Sequence, residues 1–265
     1  MAEADMDVGE TLSLLSSPIV EIVVGKPDSS DGLQPRTFFA HKDVLVLNSH
    51  FFAKALNKRD LDSESALAGW VEVEPEVVNL PEDKPEVFAN YLVLIYHGKT
   101  PSFREPDTAD LHEYHKEFLA RLEKHQGLLC YLYVFAEKAQ NVPAKRFLLA
   151  AMVDSTKLKN NNGDVYFAGP LEVATIYNGT QKSDPMRKFV TACAVSYGHD
   201  GWGKASEFHP EFVDDLVAGI WEHRSVPPEQ IRKQTKMASH WLQELSRVQR
   251  AEEGELSDPS DIHNV

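Results

Sequence analysis

Apolar and polar positions along this chain follow two rhythms, and the switches between them mark its elements. Residues 19–24, I-V-E-I-V-V, are almost all β-branched and stop at Gly25, the signature of a buried strand. P-D-S-S-D-G-L-Q-P over 27–35 is a long turn. A second strand is predicted over 37–41, antiparallel to the first. From Val44 the period changes. Val44, Leu47, Phe51 and Ala55 fall at i, i+3, i+7 and i+11, with Leu45, Phe52 and Leu56 beside them. That stripe predicts one helix over 43–56, with Asp43 in the first turn where a negative charge suits the helix dipole. Residues 57–69 read as a polar loop, W-V-E-V over 70–73 as an edge strand, and V-V-N-L over 77–80 as a short strand.

The next boundary is sharper. Asp83 is placed as an N-cap, with Pro85 at the second helical position and Glu86 three after the cap. The helix carries Val87, Phe88, Tyr91, Leu92, Leu94 and Ile95, and Gly98 is a left-handed stop. Residues 100–107 hold two prolines and read as loop. An exposed helix is predicted over 111–124, with Leu111, Phe118, Leu119 and Leu122 on one side. A separate buried helix follows over 128–140. Asn141 ends it, and Pro143 opens another, through Phe147, Leu148, Ala151 and Met152 to about residue 159. Asn160-Asn161-Asn162-Gly163 breaks the chain. Prolines then open helices predicted at 171–178, 185–197, 210–222 and 228–249. No repeat of fixed period is visible among them. The expected organisation is a loose acidic leader (1–15), a domain over 16–160 with an insertion near 99–127, a helical extension over 161–249 and a disordered acidic tail over 250–265. The fold class is α+β: a small mixed sheet of three or more strands beside a helical cluster, followed by an all-α extension.

Charge narrows the functions. The 265 residues carry a formal net charge of -14, which repels a phosphate backbone, so direct nucleic-acid binding is not expected. The N-terminus is acidic and shows no secretory signal. The longest apolar run, 91–96, is far short of the roughly 20 residues a membrane span needs. The two cysteines, Cys130 and Cys193, sit in apolar runs and read as small buried hydrophobes in a reducing, intracellular setting, cytoplasmic or nuclear. Asn178-Gly179-Thr180 matches a glycosylation sequon, which without a signal would not meet its enzyme.

Candidate chemistry fails on spacing. His112-Glu113-Tyr114-His115 has its histidines at i and i+3, whereas the zincin motif needs i and i+4. Gly198 and Gly203-Lys204 have P-loop spacing, but Ala205 stands where a Ser or Thr should hold magnesium. No activated nucleophile stands beside His41. The run Arg232-Lys233-Gln234-Thr235-Lys236 reads as a solvated helix face, with Trp241, Leu242 and Leu245 on the buried side. No catalytic group, cofactor or metal is predicted.

Two stretches resemble the BTB (POZ) family, a protein-interaction fold. The pattern F-x-A-H-K-x-x-L, then S-x-x-F, is carried by Phe38, Ala40, His41, Lys42, Leu45, Ser49 and Phe52. The second is more specific: a strand ending in Leu80-Pro81, then a helix with Phe88 that ends Tyr96-His97-Gly98. The helices at 128–140 and from Pro143 resemble the last pair of a BTB core. The resemblance implies a non-enzymatic module that self-associates or binds partners, as a substrate adaptor of a cullin-type ubiquitin ligase or a transcription-associated scaffold. It makes His41 a buried structural residue. Trp70-Val71-Glu72 fits the apolar-x-Glu motif of cullin-binding members, so Trp70 and Glu72 are candidate partner contacts. Many members carry Asp near the dimer interface where Ile19 stands here, leaving Arg36 and Lys42 without that acidic partner and counting against the usual homodimer. This departure, the proline beside the first strand and the insertion are similar to BTB proteins of fungi.

Overall fold

Ile19–Val24 forms β1, the central strand of a three-stranded sheet of order β2-β1-β3. The computed structural model describes residues 13–26, 34–62, 76–163, 165–198 and 202–252. Strand β2 (Arg36–His41) pairs antiparallel with β1, Ile19 facing His41 and Val24 facing Arg36. Strand β3 (Val77–Leu80) runs parallel to β1, with Glu21 beside Val77. The β-branched run explains the central position, because Val20, Ile22 and Val24 alternate into the core. Gly25 ends the strand at φ +96°, where a Cβ would also come within 3.3 Å of the Pro35 Cα. The chain is α+β with a small mixed sheet, as the pattern predicts.

The chain divides into two compact units. The first comprises Met1–Thr100 and Phe135–Ala144; the second comprises Pro101–Val134 and Lys145–Val265. This cut passes through two helices and differs from the 16–160 and 161–249 segments read from sequence.

In the first unit, the helix predicted over 43–56 is two helices, α1 (Lys42–Asn48) and α2 (His50–Asp62). Ser49 separates them in extended backbone, fully buried. Its Oγ donates to the Ala139 carbonyl at 2.7 Å and accepts the Phe52 N–H at 3.1 Å. A tertiary hydrogen bond plus a local N-cap outweighs continuing the helix. Helix α3 (Pro85–His97) starts with Pro85 at its first position and stops at Gly98, φ 62°, whose N–H donates to the Leu94 carbonyl at 2.8 Å. Its N-cap is Lys84 rather than Asp83, whose carboxylate pairs with Lys138. Phe88 is the aromatic centre of the unit, edge-on to Phe38 at 5.1 Å and to Phe135 at 5.7 Å. Tyr91 meets Phe135 at 4.8 Å and its hydroxyl accepts from Asn141 Nδ2 at 3.1 Å. Burial pushes that phenol up to about 12.

Helix α4 (Leu111–Lys138) is one helix of 28 residues where two were predicted. Gly127 does not break it. A Cβ there would make an ordinary contact, 3.4 Å from Glu172 Oε1. Phe118 and Leu122 are fully buried, so the predicted exposed helix has an inner face, although Leu111 stays 73% exposed. Helix α5 (Val142–Ser155) ends before residue 159, and Phe147 on it is exposed. Helices α6 (Pro170–Gly179), α7 (Pro185–Tyr197) and α8 (Pro210–Glu222) match their predicted spans to within a residue or two, each with proline in its first position. The helix predicted over 228–249 is α9 (Pro228–Thr235) and α10 (Ala238–Glu252). The break lets Trp241 Nε1 donate to the Thr235 carbonyl at 3.0 Å.

Two buried cations organise the second unit. Lys145 Nζ lies 2.8 Å from Asp184 Oδ2, while Asp184 Oδ1 accepts from the Tyr133 hydroxyl at 3.0 Å and the Met186 N–H at 2.8 Å. Arg187 donates to the Tyr177 carbonyl and to Glu211, each at 2.6 Å, and stacks over the Tyr177 ring. Both cations are partnered, as buried charges must be. Among the described residues, no helix is long and apolar enough to cross a membrane.

Candidate interaction surface

The pairing register sets the two faces of the sheet. Ile19 with His41, Glu21 with Phe39, and Val23 with Thr37 share one face; Val20 with Ala40 and Ile22 with Phe38 share the other. The second face is the core. The first leaves Phe39 64% and Ile19 44% exposed. They are diagonal neighbours across an antiparallel pair, about 7–8 Å apart, and so form a small apolar patch. The successive phenylalanines thus divide: Phe38 packs against Phe88 and Phe39 faces outward.

Behind the patch, the strand-to-helix junction is held by Tyr96 on α3. Its hydroxyl accepts the His41 N–H at 2.8 Å and lies 2.9 Å from His41 Nδ1. His41 is half-buried rather than fully enclosed as the resemblance implies. Lys42, without an acid at position 19 to face, pairs with Glu76 at 3.3 Å. Arg36 is exposed at the strand end.

The remaining motif residues form framework around this surface. Ala40, Leu45, Phe52, Leu80 and Phe88 are buried, and Ser49 makes the bridge described above. Pro81 is exposed in the turn after β3, and Gly98 ends α3. Trp70 and Glu72 lie outside the described residues. Sequence reasoning placed Ile19 at an interface position by resemblance but missed Phe39 as a surface residue. The period-2 alternation of T-F-F-A-H held the signal for Phe39, because a buried Ala40 puts Phe39 on the opposite face.

The other candidates resolve into ordinary structure. His112 is exposed at the start of α4, whereas His115 Nδ1 lies 2.9 Å from Asn160 Nδ2. Among the described residues no three His, Cys, Asp or Glu side chains group to hold a metal. Gly198 closes α7 with its N–H on the Ala194 carbonyl at 2.8 Å. After Lys204 comes a single 3-10 turn, Ala205–Glu207, with Trp202 packed on Phe208 at 5.3 Å. That leaves no helix N-terminus to cradle phosphate next to Lys204. Cys130 and Cys193 are both fully buried free thiols, and burial pushes both far above the usual thiol range. The basic run is only partly solvated: Arg232 donates to the Ser196 carbonyl at 3.1 Å and both Arg232 and Lys236 sit over the Tyr197 ring.

A cavity of about 640 Å³ opens among α7, α8, α9 and α10. Part of its charged lining is engaged: Lys188 with Glu244 at 3.1 Å, Arg187 with Glu211, and Asp215 with the Tyr177 hydroxyl at 2.7 Å. No protein-family model matches the sequence, and no curated protein shows significant similarity to it.

Proposed function

We propose that the chain is a non-enzymatic protein-interaction module of the BTB (POZ) type, working in the cytoplasm or nucleus by presenting the outer face of its sheet to other proteins. One observation carries the reading. The two motif-bearing strand-to-helix junctions, at His41 and at Leu80-Pro81, lie in the same compact unit, and the Tyr96 hydroxyl of the second motif binds the His41 backbone of the first. That shared junction supports the reading.

The patch of Phe39 and Ile19 supplies the contact, because exposed aromatic area on a rigid sheet is what an interface buries. Ile19 in place of an acidic residue changes the contact from a charged one to an apolar one. The partner is a second copy or a different protein; an adaptor role for a cullin-type ligase and a transcription-associated scaffold are the narrower forms of the same reading.

Light scattering tests it on the full chain, the chain lacking residues 1–17 and the Phe39→Asp variant. Self-association through the sheet predicts a mass above the 29.8 kDa monomer that falls in Phe39→Asp. A concentration-independent monomer throughout would remove the homodimer.

A further inference from the structure

Helix α8 has apolar side chains on two opposite faces. The inner face packs on α7: Phe212 is fully buried, and a Cβ on Gly219 would stand 3.2 Å from Val195 Cγ2 and 3.4 Å from Thr191 Cγ2. The outer face carries Val217, Ile220 and Trp221, which are 49%, 50% and 63% exposed. At i, i+3 and i+4 they make one stripe. Scattered exposed apolar residues are ordinary, but three on one helical stripe, including a tryptophan, mark a binding face.

The ends of the stripe carry opposite charges. Asp214 is exposed one turn before Val217, while its neighbour Asp215 is engaged with Tyr177. Arg224 lies in the turn just past the end of α8, exposed, with its guanidinium over the Trp221 ring at 5.4 Å. Positions 214, 217, 221 and 224 are spaced three, four and three apart, which reads the same in both directions.

We propose that a second copy of this chain packs its α8 antiparallel on this stripe, about a two-fold axis near residue 219. That arrangement sets Asp214 against Arg224 of the other copy and Val217 against its Trp221, and the symmetry makes each contact twice. A parallel pairing would oppose like charges at both ends. The surface is separate from the sheet face of the first unit. One helix pair buries less than the ~1,200 Å² of a standard interface, so the association is weak and concentration-dependent.

Sedimentation equilibrium of the full chain tests this. Every variant carries Phe39→Asp, which silences the sheet face, so failure here is distinguishable from failure of the interaction-module reading. The background protein should associate reversibly. Trp221→Ser and Val217→Asp should each weaken association at least about tenfold, the loss of ~1.4 kcal/mol or more. Asp214→Arg and Arg224→Asp should each weaken it, and the double exchange should restore it. Circular dichroism identical to the parent shows that each variant is folded. A background protein that stays monomeric, a Val217→Asp variant that associates normally, or a double exchange as weak as its single variants would each overturn the proposal.

Discussion

Replacing Asp184 by Asn should destabilise the second unit more than its small change in shape implies. Asn keeps an oxygen in the Oδ1 place, so the Tyr133 hydroxyl and the Met186 N–H, at 3.0 and 2.8 Å, retain their acceptor and α7 keeps its cap. What is lost is the charge 2.8 Å from Lys145 Nζ. The two side chains are only 10% and 3% exposed, so water cannot take over as partner. Removing one member of a buried pair costs about 3–5 kcal/mol, because the other charge stays behind without that counter-charge. At about 1.4 kcal/mol per tenfold, that is two to three and a half powers of ten in the folded-to-unfolded ratio. For a unit of this size it corresponds to a Tm about 6–20 °C lower, read by circular dichroism. Lys145→Met with Asp184→Asn removes the buried ammonium as well and should recover part of the loss. A single variant within about 1 kcal/mol of wild type, or a double variant no better than the single, would refute the reasoning.

Two more predictions concern packing and charge in the same unit. The Glu172 carboxyl is held above its usual value of 4.5, first by burial, so its charged form disfavours the fold. Any stability tied to its raised value is complete below pH 4.5 and is lost as pH rises through the folded value. Glu172→Gln, which can still accept the Gly169 N–H, should therefore match wild type in acid and exceed its Tm at neutral pH; a Tm deficit at neutral pH would contradict this. Gly179→Ala places a Cβ onto the Val134 side chain and should cost about 1–3 kcal/mol in urea unfolding. Adding Val134→Ala should relieve part of that cost, and an undiminished loss would show that overlap is not the cause.

The legible parts of the fold were those set by local chemistry. The β-branched run gave β1, and proline at the start with glycine at the end bounded α3. Prolines likewise placed α6, α7 and α8. Two of the errors share a cause: long-range partners overrode local preference. Ser49 splits a continuous helical stripe because Ala139, ninety residues away, accepts its hydrogen bond. The two helices read on either side of Gly127 are one, because a single helical glycine costs only about 1 kcal/mol and the flanking residues are buried against the rest of the unit. Thr235 and Trp241 divide the last helix by a local bond instead, six residues apart. In the candidate surface, the framework residues were legible as a motif, whereas the exposure of Ile19 depends on the register with β2. The Lys145–Asp184 pair left no local trace, since its partners lie 39 residues apart, one on α5 and one at the N-cap of α7.

The central claim is that the outer face of the sheet is where other proteins hold this chain. Hydroxyl-radical footprinting of the full chain reads it directly, comparing dilute protein with the largest assembly it forms alone or with a partner. Phe39 and Ile19 should react readily when dilute and be protected in the assembly, while buried Phe52 stays unreactive in both. Equal reactivity of Phe39 in the two states, or a chain that remains at 29.8 kDa under every condition, would contradict the account.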